Sequence, residues 1–235
     1  MNENKTIEIL FPEFCNLFGD LSNMKYLKKC LPDGNFIETS ITEEPAFVSQ
    51  DVNFIYMGPM TEKAQEKVIN KLKPYKEKIE ELIEKNVVFL VTGNAIEIFG
   101  KYIENEDGSR IEALGIFDIY AKRDMLHRHS SMFVGKYEDI ELLGFKSQFT
   151  FAYGDNSNIY FSEVEKGIGL NPESKLEGIQ KNNFIGTYVI GPILILNPQF
   201  TVKLLKKIGI NEPKIAFEED VKKAYEQRLK ELKSL

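Results

Sequence analysis

The sequence predicts an α/β fold, with a mostly parallel central sheet and helices on both of its faces. Three observations carry this. Strand and helix signals alternate with short connections through the first hundred residues, the pattern of a sheet built from crossover units. Val87–Thr92 (VVFLVT) is a continuous apolar run that suits a central parallel strand covered on both sides. Val68, Leu72, Tyr75, Ile79 and Leu82 recur at helical spacing and define one face of a long helical segment.

Taken in order, Thr6–Phe11 is a short β-rich run and Leu21–Leu31 a helix stopped by Pro32 and Gly34. Asn35–Ser40 and Asn53–Met57 are further strands, the latter bounded by Gly58 and Pro59. Thr61–Lys85 is helical, with Pro74 expected to kink or split it. After the VVFLVT strand, Gly93-Asn94 makes a turn and Ala95–Tyr102 resumes a helical pattern. The runs LGIFDIY, SMFVG, LLGFKSQFTF and NIYF within Ile111–Phe161 read as short strands, a partly antiparallel extension of the sheet. Tyr188–Leu196 reads as a buried strand. Asn197 and Pro198 are a good helix start, Gly209 a natural stop. Phe217–Leu235 is a last amphipathic helix, with Phe217, Val221, Ala224, Tyr225, Leu229 and Leu232 on its apolar side. No linker, repeat or low-complexity tract interrupts the chain, so residues 1–235 are expected to form one domain.

Composition narrows the chemistry. The chain has 235 residues, a net charge of −6 and 43% apolar residues, which excludes wholesale disorder. Mild acidity without clustered Lys/Arg argues against nucleic-acid or anionic-membrane partners. No run approaches the roughly 18 apolar residues of a membrane helix. The N-terminus lacks a secretory pattern, and two unpaired Cys fit a reducing cytoplasm. The 2 Cys and 2 His do not make a Cys/His zinc cage of the usual spacing, and no cofactor is expected. Any Cys–His catalytic pair must come from Cys15, Cys30, His127 and His129. The two His form at most a weak metal pair beside Lys122, Arg123 and Arg128.

Ligands of open parallel sheets bind beyond the carboxyl ends of the strands. Two segments belong there: Tyr56-Met57-Gly58-Pro59-Met60 and Thr92-Gly93-Asn94. The second is a strand-to-helix turn of the kind that presents a nucleophile, with backbone N–H groups near enough to hold an oxyanion.

Several segments together resemble the glutamine amidotransferases of the cobyric acid synthase type, and most closely their lipid II isoglutaminyl synthase branch. Phe11-Pro12-Glu13 with Asn16-Leu17-Phe18-Gly19-Asp20 resembles the opening strand and its "NLYGD" turn. Gly58 stands at the Gly-rich oxyanion loop. Residues 92–100 (TGNAIEIFG) resemble the elbow and helix usually written CGGYQLLG from the nucleophile onward. Leu143-Gly144-Phe145 precedes the place of an "ENH" segment, and Gly186–Pro192 (GTYVIGP) resembles GTYLHGP, with Asn197-Pro198 following. The resemblance runs from about residue 7 to residue 205. It implies a flavodoxin-like glutaminase core that hands ammonia to a Mur-ligase-like amide synthetase.

The departures fall on the chemistry. Aligned on Gly100, the Cys nucleophile of that family becomes Gly93, its catalytic His becomes Ile190, and a further His becomes Gln148. The oxyanion loop becomes Gly58-Pro59-Met60, and Pro59 has no N–H to donate. The resemblance therefore implies a glutaminase fold without an intact nucleophile or base, acting as a partner or regulatory subunit of a synthetase or binding a small ligand. The pocket residues expected are Cys15, Gly58, Thr92, Asn94, Gln148 and Tyr188. The alternative is a working amidotransferase that hydrolyses glutamine and delivers ammonia to a Mur-ligase-like or cobyrinate-type synthetase with a non-standard nucleophile such as Cys15 or Thr92, although no base for Thr92 is visible nearby in sequence. Cys30 is expected to pack on its helix, and Glu97, where the family often has Gln, to be a solvated or pocket-edge carboxylate.

Overall fold

The computed structural model describes residues 5–234. In chain order the elements of the first half are β1 (Thr6–Leu10), α1 (Ser22–Cys30), β2 (Asn35–Thr39), α2 (Ala46–Ser49), β3 (Phe54–Met57), α3 (Glu62–Leu72), α4 (Lys76–Glu84) and β4 (Val88–Thr92). Short strands follow: β5 (Tyr102–Glu104), β6 (Arg110–Glu112), β7 (Ile119–Arg123), β8 (His129–Tyr137), β9 (Ile140–Gln148), β10 (Thr150–Gly154), β11 (Ser162–Lys166), β12 (Leu176–Glu177), β13 (Ile179–Lys181) and β14 (Phe184–Thr187). The chain closes with α5 (Ile193–Leu196), α6 (Pro198–Lys207) and α7 (Glu218–Ser234).

The central sheet runs β13-β14-β4-β3-β1-β2. The pairs β2–β1, β1–β3, β3–β4 and β4–β14 are parallel, and only β13 is antiparallel to its neighbour. The parallel part has the doubly wound flavodoxin order, whose ligand crevice lies beyond the strands' carboxyl ends. Alternate residues of the central strands feed two cores. Ile55, Met57, Phe89 and Val91 pack with Val68, Ile69 and Leu72 of α3 and Ile79 of α4. Phe54, Tyr56, Val88 and Leu90 pack with Leu27 of α1 and Phe200 and Leu204 of α6. Burial on both faces explains why VVFLVT is apolar throughout.

Local chemistry sets several boundaries. Thr61 caps α3, its hydroxyl accepting from the Ala64 N–H at 3.3 Å. Pro74 lies in the 3-10 turn Lys73–Tyr75 that separates α3 from α4, so the helical pattern splits where the ring removes a donor. Gly209, with φ +95°, ends α6 in the left-handed conformation that favours glycine.

Other expectations change. The middle strands pair into two four-stranded sheets of their own, β10-β7-β5-β6 and β12-β11-β8-β9. The first packs on the α3 core through Ile103, Ile119 and Ala121 and the second on the α6 core through Phe133, Tyr137 and Leu142. Tyr188–Leu196 is not a strand. Backbone pairing in β14 stops at Thr187, Gly191 takes φ +119°, and Pro192 opens the single helical turn of α5. The apolar run is continuous because the turn itself is buried. Residues 95–102 do not form an α-helix; Gly93–Phe99 is a 3-10 turn and β5 begins at Tyr102. Asn158–Phe161 is a loop. Asn197 does not cap α6 with its side chain. Its amide instead accepts from the Leu143 N–H at 2.7 Å and donates to the Leu143 carbonyl at 2.8 Å, tying α6 to β9. Phe217 precedes α7 at φ +55° and is 59% exposed, off the apolar side it was assigned.

Candidate functional site

The crevice at the carboxyl ends of β1, β3 and β4 gathers the loops that sequence analysis singled out. Gly93 follows β4 at φ +60°. A Cβ placed there would lie 2.6 Å from the Pro59 Cβ, closer than real Cβ contacts come. Pro59 thus fills the space into which an elbow side chain would project. Gly58 is equally constrained, because a Cβ there would meet the Cys15 carbonyl at 2.5 Å.

Two positions of this loop offer no free backbone donor. Pro59 has none, and the Met60 N–H donates to Asn94 Oδ1 at 3.0 Å. Asn94 Nδ2 donates back to the Met60 carbonyl at 2.8 Å. The reciprocal amide pair clasps the loop after β3 to the elbow and satisfies an N–H that would otherwise be free to hold an oxyanion.

Above the clasp lies a cleft of about 110 Å³ lined by Phe18, Pro59, Met60, Asn94, Arg128 and Gln148, among others. Ordinary small-molecule sites run to roughly 300–1,000 Å³, so the cleft as it stands is narrow. Gln148 donates to the Thr150 carbonyl at 2.7 Å, while its Oε1 has no hydrogen-bond partner among the described residues. The Arg128 guanidinium lies over the rings of Phe18 and Phe149 at 5.6 and 5.8 Å, and its Nε donates to Ser147 Oγ. Of the pocket residues expected from sequence, Asn94 and Gln148 line this cleft. Cys15, Gly58, Thr92 and Tyr188 do not line it and are all buried.

Thr92 does have a carboxylate beside it. Its hydroxyl donates to Asp20 Oδ2, which also accepts from the Tyr56 hydroxyl at 2.6 Å. Burial pushes the Asp20 carboxyl above its ordinary range. A separation of 72 positions hid this partner from sequence reading. The trio is sealed in the interior, so the Thr92 hydroxyl has no route to a substrate. The Cys15 thiol is likewise buried, and burial, aided by the nearby Glu13 charge, pushes its pKa well up, away from the reactive thiolate. Ile190 is buried and pairs its backbone with Phe145 in both directions, at 3.1 and 2.9 Å.

Glu97 departs furthest from expectation. It is 1% exposed rather than solvated, because the 3-10 turn rolls it under the elbow. It accepts from the Tyr188 hydroxyl at 2.9 Å and from Gln65 Nε2 at 2.8 Å. The same Gln65 Nε2 donates to the Asn94 carbonyl at 2.8 Å, and Gln65 Oε1 accepts from Arg123 at 2.9 Å. Burial pushes the Glu97 carboxyl up to about 7, against the lowering effect of its two donors and of Arg123.

Sequence reading missed a second buried group. Lys146 and Glu177 form a fully buried ion pair. Glu177 also accepts from Thr187 Oγ1 and from the Tyr188 N–H, each at 2.8 Å, and so anchors the segment after β14. Lys146 shares strand parity with Leu142, Gly144 and Gln148, which was the available signal. Cys30 sits half-buried on α1, accepting from the Ala216 N–H at 3.3 Å. His127 is an exposed turn residue bonded to Asp124, while His129 opens β8 and bonds Ser131. No cluster of three or more His, Cys, Asp or Glu among the described residues is placed to hold a metal.

The fold is that of the glutamine amidotransferases. It matches a solved glutamine amidotransferase with a TM-score of 0.59 and 10% identity, over 86% of this chain and 99% of that one. It matches a second, from Thermotoga maritima, with a TM-score of 0.53 and 11% identity, over 96% and 93%. In sequence, the GatD subunit of lipid II isoglutaminyl synthase (glutamine-hydrolyzing) from Staphylococcus aureus is 30% identical over 206 residues, 86% of this chain and 83% of that one. The same subunit from Streptococcus pneumoniae is 24% identical over 240 residues, 96% and 90%. No family model matches the chain. The chain belongs to the family of GatD subunits of lipid II isoglutaminyl synthase. No helix among the described residues is long and apolar enough to cross a membrane.

Proposed function

We propose that this chain, one domain over residues 1–235, is a glutaminase-fold subunit without glutaminase chemistry. It serves, in the cytoplasm, as a partner or regulatory subunit of a Mur-ligase-like amide synthetase. The observation that carries the reading is the elbow. Gly93 offers no nucleophile, Pro59 occupies the space one would need, and Ile190 can take no proton. The oxyanion loop adds to it, since Pro59 lacks an N–H and the Met60 N–H is held by Asn94. Losing one member of a nucleophile–base pair costs roughly 10⁶ in rate in the best-studied hydrolase, and the remainder there comes from the oxyanion hole and binding. Here the nucleophile and base are absent and the oxyanion loop has lost the Pro59 and Met60 donors.

The family relation supports a synthetase partner, because the relatives are subunits of a synthase by name. The cleft supports a companion role, binding of a small ligand, through the free acceptor Gln148 Oε1 and the Arg128 guanidinium. An alternative nucleophile is disfavoured by the burial of both Cys15 and Thr92.

The test is direct. Purified, folded protein should release no ammonia from glutamine above the rate of a blank, alone or with its synthetase, and an affinity pull-down should recover an ATP-dependent amide ligase. Ammonia release at an ordinary enzymatic rate, abolished by Cys15→Ala or Thr92→Val, would overturn the proposal.

A further inference from the structure

The sheet β10-β7-β5-β6 buries one face through Ile103, Ile119 and Ala121, so strand alternation turns its other face to solvent. Register sets the outward residues in two rows across the strands. One row runs Tyr153, Tyr120, Tyr102, Glu112, and the other Phe151, Lys122, Glu104, Arg110. The Tyr120 ring stacks on Tyr102 at 5.1 Å and on Tyr153 at 5.7 Å. The hydroxyls of these three tyrosines have no hydrogen-bond partner among the described residues. Arg110 lies 4.2 Å over the Tyr102 ring and Lys122 5.8 Å over Tyr120. Glu104 pairs with both cations, at 2.9 Å to Arg110 and 3.3 Å to Lys122. Half-buried tyrosines with an arginine among them are the composition of an interface core rather than of a solvated surface.

The order of residues within the rows says what fits over them. A two-fold axis that runs along the strands, between two copies of the sheet, reverses the strand order and keeps each row. β5 then faces β7 of the second copy, and β6 faces β10. In the first row Tyr102 meets Tyr120, and Glu112 meets Tyr153, whose phenol can donate to the carboxylate. In the second row Glu104 meets Lys122, and Arg110 meets the Phe151 ring. Each opposed pair is complementary, as ring on ring, hydroxyl on carboxylate, carboxylate on ammonium or guanidinium on ring.

We propose that this face is a self-complementary contact between two copies of the chain, packed sheet on sheet with aligned strands about 10 Å apart. The two rows supply eight residues a side, fewer than the roughly 20–30 of a standard interface. The dimer is therefore weak and forms as the chain is concentrated. The inference holds whether or not the chain hydrolyses glutamine, since it concerns a face outside the elbow and its cleft.

The test is sedimentation equilibrium of the full chain. The average mass should climb from 27.0 kDa towards twice that value as concentration rises from about 1 to about 500 µM, the range of weak complexes. Glu104→Lys and Lys122→Glu each set like charges opposite one another in their own dimer, and each should weaken association about tenfold or more. Mixed in equal amounts, the two variants restore both opposed pairs, and the mixture should recover most of the lost association. Rescue between two chains is a result that damage to the sheet within one chain would not give. A wild type that stays monomeric, a dimer that either variant leaves intact, or a mixture no better than its components would overturn the proposal. Should a variant fail to fold, the wild type decides: Lys122 acetylated as rapidly in the dimer as in the monomer, or shielded only by a synthetase, refutes it.

Discussion

Replacing Glu97 by Gln turns the buried carboxyl of the elbow into a neutral group of the same shape. The native carboxyl titrates at about 7 against an ordinary value of 4.5. Its native state therefore binds a proton more tightly than its unfolded state does. Between those two values the native protein carries more protons, so the wild type loses stability as pH rises from about 4.5 to 7 and levels off above. At 1.36 kcal/mol per unit, the full swing is about 3 kcal/mol. Gln at this position can accept from Gln65 and carries no charge to bury, and the acceptor it takes from the Tyr188 hydroxyl is a cost that does not vary with pH. Burial also raises the carboxyls of Glu8 and Asp20, and their titration has the same sign. Subtracting the variant's curve from that of the wild type isolates Glu97. Urea unfolding at pH 5, 6, 7 and 8 is the assay. The variant should gain on the wild type progressively, by about 2.5 kcal/mol at pH 8 relative to pH 5. A difference that stays within about 1 kcal/mol across that range would refute the reasoning, because it would mean that the carboxyl titrates normally in the folded state.

Two further expectations follow from the packing. Gly93→Cys should lower stability by about 2–4 kcal/mol in a denaturant titration, from overpacking against Pro59 and from a side chain at φ +60°. Pairing it with Pro59→Gly should recover only the overpacking part, and neither variant should release ammonia from glutamine while residue 190 remains Ile. Lys146→Met should cost about 3–5 kcal/mol by leaving the Glu177 charge buried alone. Adding Glu177→Gln, which keeps an acceptor for Thr187 and Tyr188, should recover most of it; a double variant as unstable as the single one would show that charge is not the cause.

The parallel core was legible because its signals are local. Burial on both faces of β4 demands an unbroken apolar run, and Pro74 interrupts a helix wherever it stands. The elbow was legible as a turn for the same reason. Strand partners in the middle of the chain were not legible, because short alternating runs do not say which neighbour they pair with. The buried turn at 188–192 was mistaken for strand because burial, not backbone conformation, sets its composition.

At the site, the sequence by itself determined which groups each residue can offer: Gly93 has no side chain, Ile190 no basic nitrogen and Pro59 no N–H. Tertiary structure alone decided what surrounds them. Pro59 fills the elbow's space, Asn94 takes the Met60 donor, Asp20 meets Thr92 across 72 positions, and Glu97 turns inward to Tyr188 and Gln65. An absent group is a property of one residue and can be read from it. A filled space or a shifted pKa is a property of neighbours, and only the folded chain brings those neighbours together.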